Sequence, residues 1–290
     1  MVGRFKIDGN DAWTQWKVAV REGGYNQFVC LPSMKDVETN DWHEYDGIEA
    51  DLSSPVGDAR TFIMDFMCAG SASDIESFLL YLRTPFIDSQ DINYGVYHTF
   101  EGVDIGGKQV VARVVSLSGV DLGAMRSPLL FSLTFADDSG FSYDADISIP
   151  PSEDDVQSDF TIDGIPFRSF GVKMLDGTIN GLLSGAGVKD GLSINVPDVP
   201  GVIYDISSYG KRKSRNFTLK CHMKSMSFDS MWNNYLALEN LLFMPGSRTV
   251  MIPALGISYK CYYVSCSVQN FFPDSIWIDF NLTFKILGWS

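Results

Sequence analysis

Gly102-Val103-Asp104-Ile105-Gly106-Gly107-Lys108-Gln109 brings glycines and a lysine close to the spacing of a phosphate-binding loop. Such a loop turns backbone amides and a lysine onto phosphate, with a Ser or Thr hydroxyl on magnesium and a helix amino terminus behind it. Gln109 stands where the hydroxyl belongs, and Val110 to Val115 reads as strand. The segment therefore predicts a glycine hairpin turn. The glycines of Gly181 to Gly191 fail the dinucleotide fingerprint in a similar way, because Asp190 occupies the place of the third glycine. They predict a surface loop.

The remaining reactive residue types are no better grouped. His43, His98 and His222 sit far apart, with no His-x-x-x-His or Glu-x-x-His spacing to gather zinc. Core or surface histidines with ordinary partners are the expectation. Asp36 with Glu38, or Asp154 with Asp155, are close carboxylates in a chain full of them and point to no acid–base pair. No Gly-x-Ser-x-Gly elbow occurs. Asp137, Asp138, Asp144 and Asp146 lack the oxygen spacing and closing glutamate of a helix–loop–helix calcium site. No catalytic, cofactor-binding or metal-binding residue is expected, and no cofactor.

The formal charge of −14, from 36 acidic and 22 basic residues, argues against wrapping DNA, which takes cationic side chains to displace counterions. One positive island, Lys211-Arg212-Lys213-Ser214-Arg215, precedes a strand pattern. It reads as a hairpin tip or an edge guard, with contact to an acidic neighbouring subunit or to phosphate as the other readings. Five cysteines, Cys30, Cys68, Cys221, Cys261 and Cys266, are odd in number and show no Cys-x-x-Cys pair. They fit small buried hydrophobes in a reducing compartment. Met1 to Trp13 has no apolar leader, and no run approaches the apolar length of a spanning helix. Synthesis in a cytoplasm without membrane insertion is expected.

What must carry function is the architecture, and the architecture is doubled. Phe5-Lys6-Ile7-Asp8-Gly9 returns as Phe160-Thr161-Ile162-Asp163-Gly164, and Arg60 to Met64 as Arg215 to Leu219, both 155 positions on (160 − 5, 215 − 60). Val115-Ser116 and Leu133-Thr134-Phe135 recur as Val264-Ser265 and Leu282-Thr283-Phe284, 149 positions on (264 − 115, 282 − 133). Copies this long are domains and not solenoid repeats. Residues 1–135 and 159–290 are the expected β domains, and residues 136–158, with repeated acids and Pro150-Pro151, an acidic linker.

Most of each copy alternates apolar and polar residues with the period of a strand. Phe62, Met64 and Phe66 share one face, as do Phe217, Leu219 and Cys221; Leu129 to Phe135 and Ile276 to Ile286 are the longest such runs. Gly106-Gly107 and Gly256 mark matching turns. One helix interrupts each copy: Asp74 to Leu82, capped by Asp74 and ended by Pro85, and Asp229 to Met244, stopped by Pro245. The offset then falls from 160 to 149 (245 − 85, 264 − 115), placing about eleven extra residues near Phe86 to Phe100 of the first copy. The predicted class is mainly β (α+β), with two similar antiparallel β-sandwich or barrel domains, each with one flanking helix.

This pattern of an opening Phe-x-Ile-Asp-Gly hairpin, a mid-domain helix and long final strands such as Ile276 to Ile286 resembles the tube-like domains of bacteriophage tails. The first copy is similar to the ring-forming domain of distal tail proteins, and the doubling to tail hub proteins. The resemblance implies a virion protein forming a ring around the DNA channel, as a trimer of two-domain chains or a hexamer, against other tail proteins. DNA would pass an acidic lumen without specific binding. It implies surfaces rather than a catalytic site. The other class open to such a chain is a cell-surface adhesin or pilus-type β protein.

Overall fold

The computed structural model describes residues 3–83, 97–119, 128–149 and 160–289. Asp8-Gly9 and Asp163-Gly164 each have two consecutive positive φ angles (49° and 80°; 51° and 81°), the backbone of a tight two-residue hairpin. The first turn joins β1 (Phe5–Ile7) to β2 (Asn10–Asp11). In the same sheet are β3 (Val18–Val20), β4 (Arg60–Cys68), β5 (His98–Gly102), β6 (Lys108–Ser118) and β7 (Leu129–Asp137). The second turn joins β8 (Thr161–Ile162) to β9 (Ile165–Pro166). With them stand β10 (Val172–Met174), β11 (Asn216–Lys224), β12 (Arg248–Ile252), β13 (Ile257–Phe272) and β14 (Trp277–Trp289).

The two seven-stranded sheets run β2-β1-β5-β6-β7-β4-β3 and β9-β8-β12-β13-β14-β11-β10, the same order counted from the start of each, and every pairing is antiparallel. The chain is therefore a two-domain α+β fold with one long helix beside each sheet, α2 (Ala72–Arg83) and α4 (Phe228–Leu242). Two short helices, α1 (Ala12–Trp16) and α3 (Thr178–Leu183), are additional to the single helix expected per copy. Gly181, expected in a loop, lies inside α3.

Register follows the apolar alternation. Phe62, Met64 and Phe66 of β4 lie opposite Phe135, Leu133 and Phe131 of β7, all buried, and Phe62–Phe135 and Phe66–Phe131 stack at 5.3 and 5.5 Å. Phe217, Leu219, Cys221 and Met223 of β11 likewise face Phe284, Leu282, Phe280 and Ile278 of β14. A one-residue slip would turn every one of these rings to the other face.

The helix starts differ from the sequence reading. Asp74 sits in the first turn of α2 and its carboxylate accepts from the backbone N–H (2.6 Å) and hydroxyl (2.7 Å) of Ser71. The carboxylate reaches back to the residue before the helix, one arm of a capping box, so Ser71 and not Asp74 begins the helix. Ser227 caps α4, its hydroxyl accepting from Ser230 N at 3.2 Å. Pro85 and the extra residues of the first copy fall largely outside the described residues. Ile276, expected at the head of the last strand, precedes it with φ 49°, closing a 3-10 turn at the place where Gly256 closes the matching turn. Left-handed backbone is costly for a β-branched residue.

A buried nitrogen-bearing side chain, His98 or Arg248, ties each hairpin to the end of its helix. Asp8 accepts from Thr99 N (2.8 Å) and from His98 Nδ1 (2.6 Å), while His98 Nε2 faces the Leu82 carbonyl at the end of α2 (3.2 Å). In the second half Asp163 accepts from Thr249 N (2.7 Å) and Arg248 Nη1 (2.9 Å), and Arg248 Nη2 donates to the Pro245 and Gly246 carbonyls beyond α4. Burial pulls the Asp8 carboxyl up, yet the bonds from His98, Thr99 and Tyr81 outweigh it and hold it below the usual carboxylate range.

The connector is more ordered than its acidity suggests. Asp137 ends β7; Phe141 pairs with Gly57 and packs on Phe243 at 5.2 Å; and Asp144 exchanges two 2.8 Å hydrogen bonds with Asn240 of α4. One aromatic anchor and satisfied backbone groups fix these residues, with the Asp137 carboxylate on Arg60 and that of Asp144 exposed. Residues 150–159 lie outside the described residues. Nor are the two apolar faces sealed apart, since the buried side chains of both halves form one contiguous cluster.

The clamp predicts that Asp163→Ala, which leaves Arg248 buried at 2% exposure without its carboxylate, costs about 3 kcal/mol. The measurement is the midpoint of denaturant unfolding. A variant within a few tenths of a kilocalorie of the parent would show that the clamp contributes nothing to stability.

Candidate functional site

The two long helices are not equivalent in their surroundings. On α2 only Ile75, Phe78 and Leu82 are buried, a single stripe. On α4, Met231, Tyr235, Ala237 and the whole run Leu238 to Leu242 are buried. A helix buried nearly all round lies between two surfaces. One is its own sheet. The other is the first half: Trp232 Nε1 donates to the Ile105 carbonyl at 2.7 Å, and Phe228 lies under Gly106. A Cβ on Gly106 would sit 2.3 Å from that of Phe228, and Gly106 also has φ 72°, so both contact and backbone call for glycine there. The would-be phosphate loop is thus a turn that docks the halves.

Beyond that turn the seam holds a cavity of about 240 Å³ lined by Arg60, Lys108, Asp137, Cys30, Tyr235 and Glu239, among others. Arg60 is held by Asp137 (3.1 Å) and by the Phe28 and Cys30 carbonyls. Lys108 reaches over the Trp232 ring, 5.6 Å from its centre, where burial pulls its ammonium below the usual range. Glu239 is 8% exposed and has no ion pair among the described residues. Burial pushes its carboxyl up to about 7, against the opposing pull of Lys108 and Arg60. The Tyr235 hydroxyl is buried without a hydrogen-bond partner among the described residues. Cys30 Sγ donates to the Cys266 carbonyl across the seam (3.3 Å), and burial raises the Cys266 thiol. The signal for Glu239 was present in the sequence: Leu236 to Phe243 is an apolar run broken only by Glu239-Asn240.

A strap from the first half crosses the second. The Tyr263 hydroxyl donates to the Pro32 carbonyl (2.8 Å), Met34 N to the Val264 carbonyl (2.9 Å) and Ile48 N to the Leu287 carbonyl (2.9 Å). Gly47 lies so close that a Cβ would meet the Leu287 oxygen at 1.9 Å. Lys189, only 5% exposed, fastens the strap by donating to the Trp42 (2.7 Å) and Gly47 (2.6 Å) carbonyls and pairing with Asp41. The basic run meets the strap's far side, where Arg212 N donates to Asp46 (2.6 Å) and the Arg212 carbonyl accepts from Gly47 N. Arg215 donates to Gly181 and Leu182 of α3. Part of the positive island is therefore spent inside the chain.

The other sequence candidates stay apart. His98 begins β5, His222 on β11 pairs with Asp279 at 2.7 Å, and exposed His43 contacts the Asp190 carbonyl at 2.9 Å. Asp137 and Asp138 serve Arg60 and Arg113, and Asp146 N donates to Asp144. All five cysteines are free thiols. Asp154 and Asp155 lie outside the described residues. Among the described residues no helix is long and apolar enough to cross a membrane.

No protein-family model and no curated protein matches the chain. Among solved structures, the Dit protein of SPP1, described as a paradigm of hub adsorption apparatus in Gram-positive infecting phages, aligns over 99% of both chains at 10% identity with a TM-score of 0.31. A score that low falls short of a shared fold.

Because Glu239 holds its proton to about pH 7 in the folded chain and to about 4.5 when unfolded, the folded state binds more protons between those values. Its contribution to stability is full below pH 4.5 and is lost as pH rises to 7. Glu239→Gln, permanently neutral, is expected to remove that slope and to be more stable than the parent by about 3 kcal/mol at pH 8. Thermal unfolding of both proteins from pH 5 to 8 checks it; parallel curves would refute the buried, partnerless carboxyl.

Proposed function

We propose that this chain is a structural component of a phage or prophage-derived tail, a distal tail or hub protein forming a ring around the DNA channel. The observation that carries the reading is the repetition of one strand order, with one clamped Asp-Gly hairpin, in two sheets of a single chain. Two equivalent sheets per chain let three chains present six quasi-equivalent positions, and closed symmetry stops growth. Residues 1–135 and 159–290 are the proposed duplicated units. Their shared seam makes them a rigid pair, which suits a ring whose positions must be held at a fixed angle. Turnover and a cofactor form no part of the reading.

The sheet edges offer little to a neighbour in such a ring. The terminal strands β2, β3, β9 and β10 are two or three residues long, too short to template another chain. Where β4 extends past β3, the Gln27 side chain caps Ile63 N at 2.8 Å; beside β11, Thr178 Oγ1 caps Lys220 N at 3.1 Å. Neighbours in the proposed ring meet through faces and loops.

Electron microscopy of the assembled tail tests the reading. Density for this chain in a ring around the central channel, three or six copies to the ring, is the expected outcome. Finding it outside the central tube, with neither half in a ring, would refute it.

A further inference from the structure

A chain of net charge −14 that associates with itself must overcome its own repulsion, so contacts between copies have to set a positive surface against a negative one. The second sheet carries such a positive surface. Phe217, Leu219, Cys221 and Met223 of β11 point into the core, which leaves Thr218, Lys220, His222 and Lys224 on the opposite face. Lys173 of β10 stands beside His222 in register, and Lys285 of β14 beside Asn216. Between them are Thr218, Asn281 and Thr283, small and uncharged.

Lys173, Lys220, Lys224 and Lys285 have no ion-pair partner among the described residues, and Asp279, the carboxylate on this face of β14, is engaged by His222. The lysines form a stripe along the nine residues of β11, about 27 Å at the usual rise of a strand. Lysines gathered on one face of an acidic protein, free of ion pairs among the described residues, suit an anionic occupant.

The strap offers one. Asp36, Glu38, Asp41, Glu44, Asp46, Glu49 and Asp51 are all exposed, and residues 36–51 contain no Lys or Arg. Asp41 and Asp46 are engaged within the chain, whereas the carboxylates of Asp36, Glu38 and Glu44 have no hydrogen bond or ion pair among the described residues. The strap is held at both ends by backbone bonds and by Lys189, so a partner would not have to order it. With the edge strands short and capped, strand addition is closed to a second copy, and faces remain.

We propose that the lysine stripe on β10, β11 and β14 of one copy binds the acidic strap, residues 36–51, of a neighbouring copy. The strap packs on Tyr262 and Leu287 beside Lys285, whereas Lys220, Lys224 and Lys173 lie farther along β11 and β10, so the two patches are distinct and the contact is head-to-tail, passing from copy to copy as a ring requires. The inference rests on the self-association in the proposed function and names the surfaces that make it. It also gives the lysines a role other than gripping DNA, which the channel reading disfavours.

The test mixes isotopically light and heavy full-length chain at low salt and treats it with a water-soluble carbodiimide, which condenses a lysine with a carboxylate in contact to an amide as the carbodiimide takes up the water. Mass spectrometry then finds cross-links joining one light and one heavy copy. The expected result is mixed pairs between Lys220, Lys224 or Lys285 and the strap, weakened about tenfold near 0.5 M salt, where screening is strong. Lys220→Glu with Lys224→Glu should abolish them, and Glu38→Lys with Glu44→Lys in the other copy should restore them; Lys220→Gln with Lys224→Gln removes the positive charge without adding repulsion. Mixed pairs only at other surfaces, or association indifferent to these variants, overturns the stripe and leaves the ring intact. A chain giving no mixed pair at any concentration also overturns it, with the ring still decided on the assembled tail. Retention of duplex DNA by the stripe, lost in the glutamate variant, assigns it to phosphate instead.

Discussion

In each half a buried nitrogen-bearing side chain holds an Asp-Gly hairpin against the end of the long helix, and the rest of the sheet is built outward from that junction. His98 does this for Asp8 and the Leu82 carbonyl, Arg248 for Asp163 and the Pro245 and Gly246 carbonyls. The carboxylate also takes the N–H of the next residue, Thr99 or Thr249, which sets the register of β1 on β5 and of β8 on β12. Different residues do the same work because the site asks only for side-chain nitrogens facing a carboxylate on one side and a carbonyl on the other. Removing the carboxylate alone is worse than never having the pair, since a desolvated charge is then left behind.

The second constraint is that α4 serves two surfaces. Its polar interruptions are spent on the seam: Asn240 on the connector, Trp232 on the turn before β6, Glu239 in the cavity opposite Lys108. Glu239 is kept where a hydrophobic residue would cost less, and its raised pKa is the physical mark of that cost. The seam also explains why the connector and strap are ordered. Both are acidic, yet each is pinned by a few apolar anchors, Phe141 on Phe243 and Leu52 beside Tyr262 and Leu287, while the carboxylates remain hydrated.

Charge is divided rather than mixed. Acids collect on the strap and connector, and the outward face of the second sheet keeps its lysines. The outward face of the first sheet carries exposed Ile63, Val111 and Leu130 instead. Two sheets with one topology thus present different chemistry to their surroundings.

The strands were legible in the sequence because alternation has one structural solution once a face is buried: Phe62-Met64-Phe66 and Ile278-Phe280-Leu282 leave no choice of side. The hairpins were legible because Asp-Gly and Gly-Gly permit backbone that other residues resist. Glu239, Lys108 and Cys30 as one cavity were not, for they lie on three elements far apart in the chain and nothing local links them. His98 and Arg248 were equally hidden, since the repeat keeps their role and not their residue type. Local periodicity determined which elements form and which faces they bury. Tertiary packing decided that α4 lies between the halves and which lysines stay unpaired, because both depend on what arrives from the other half of the chain.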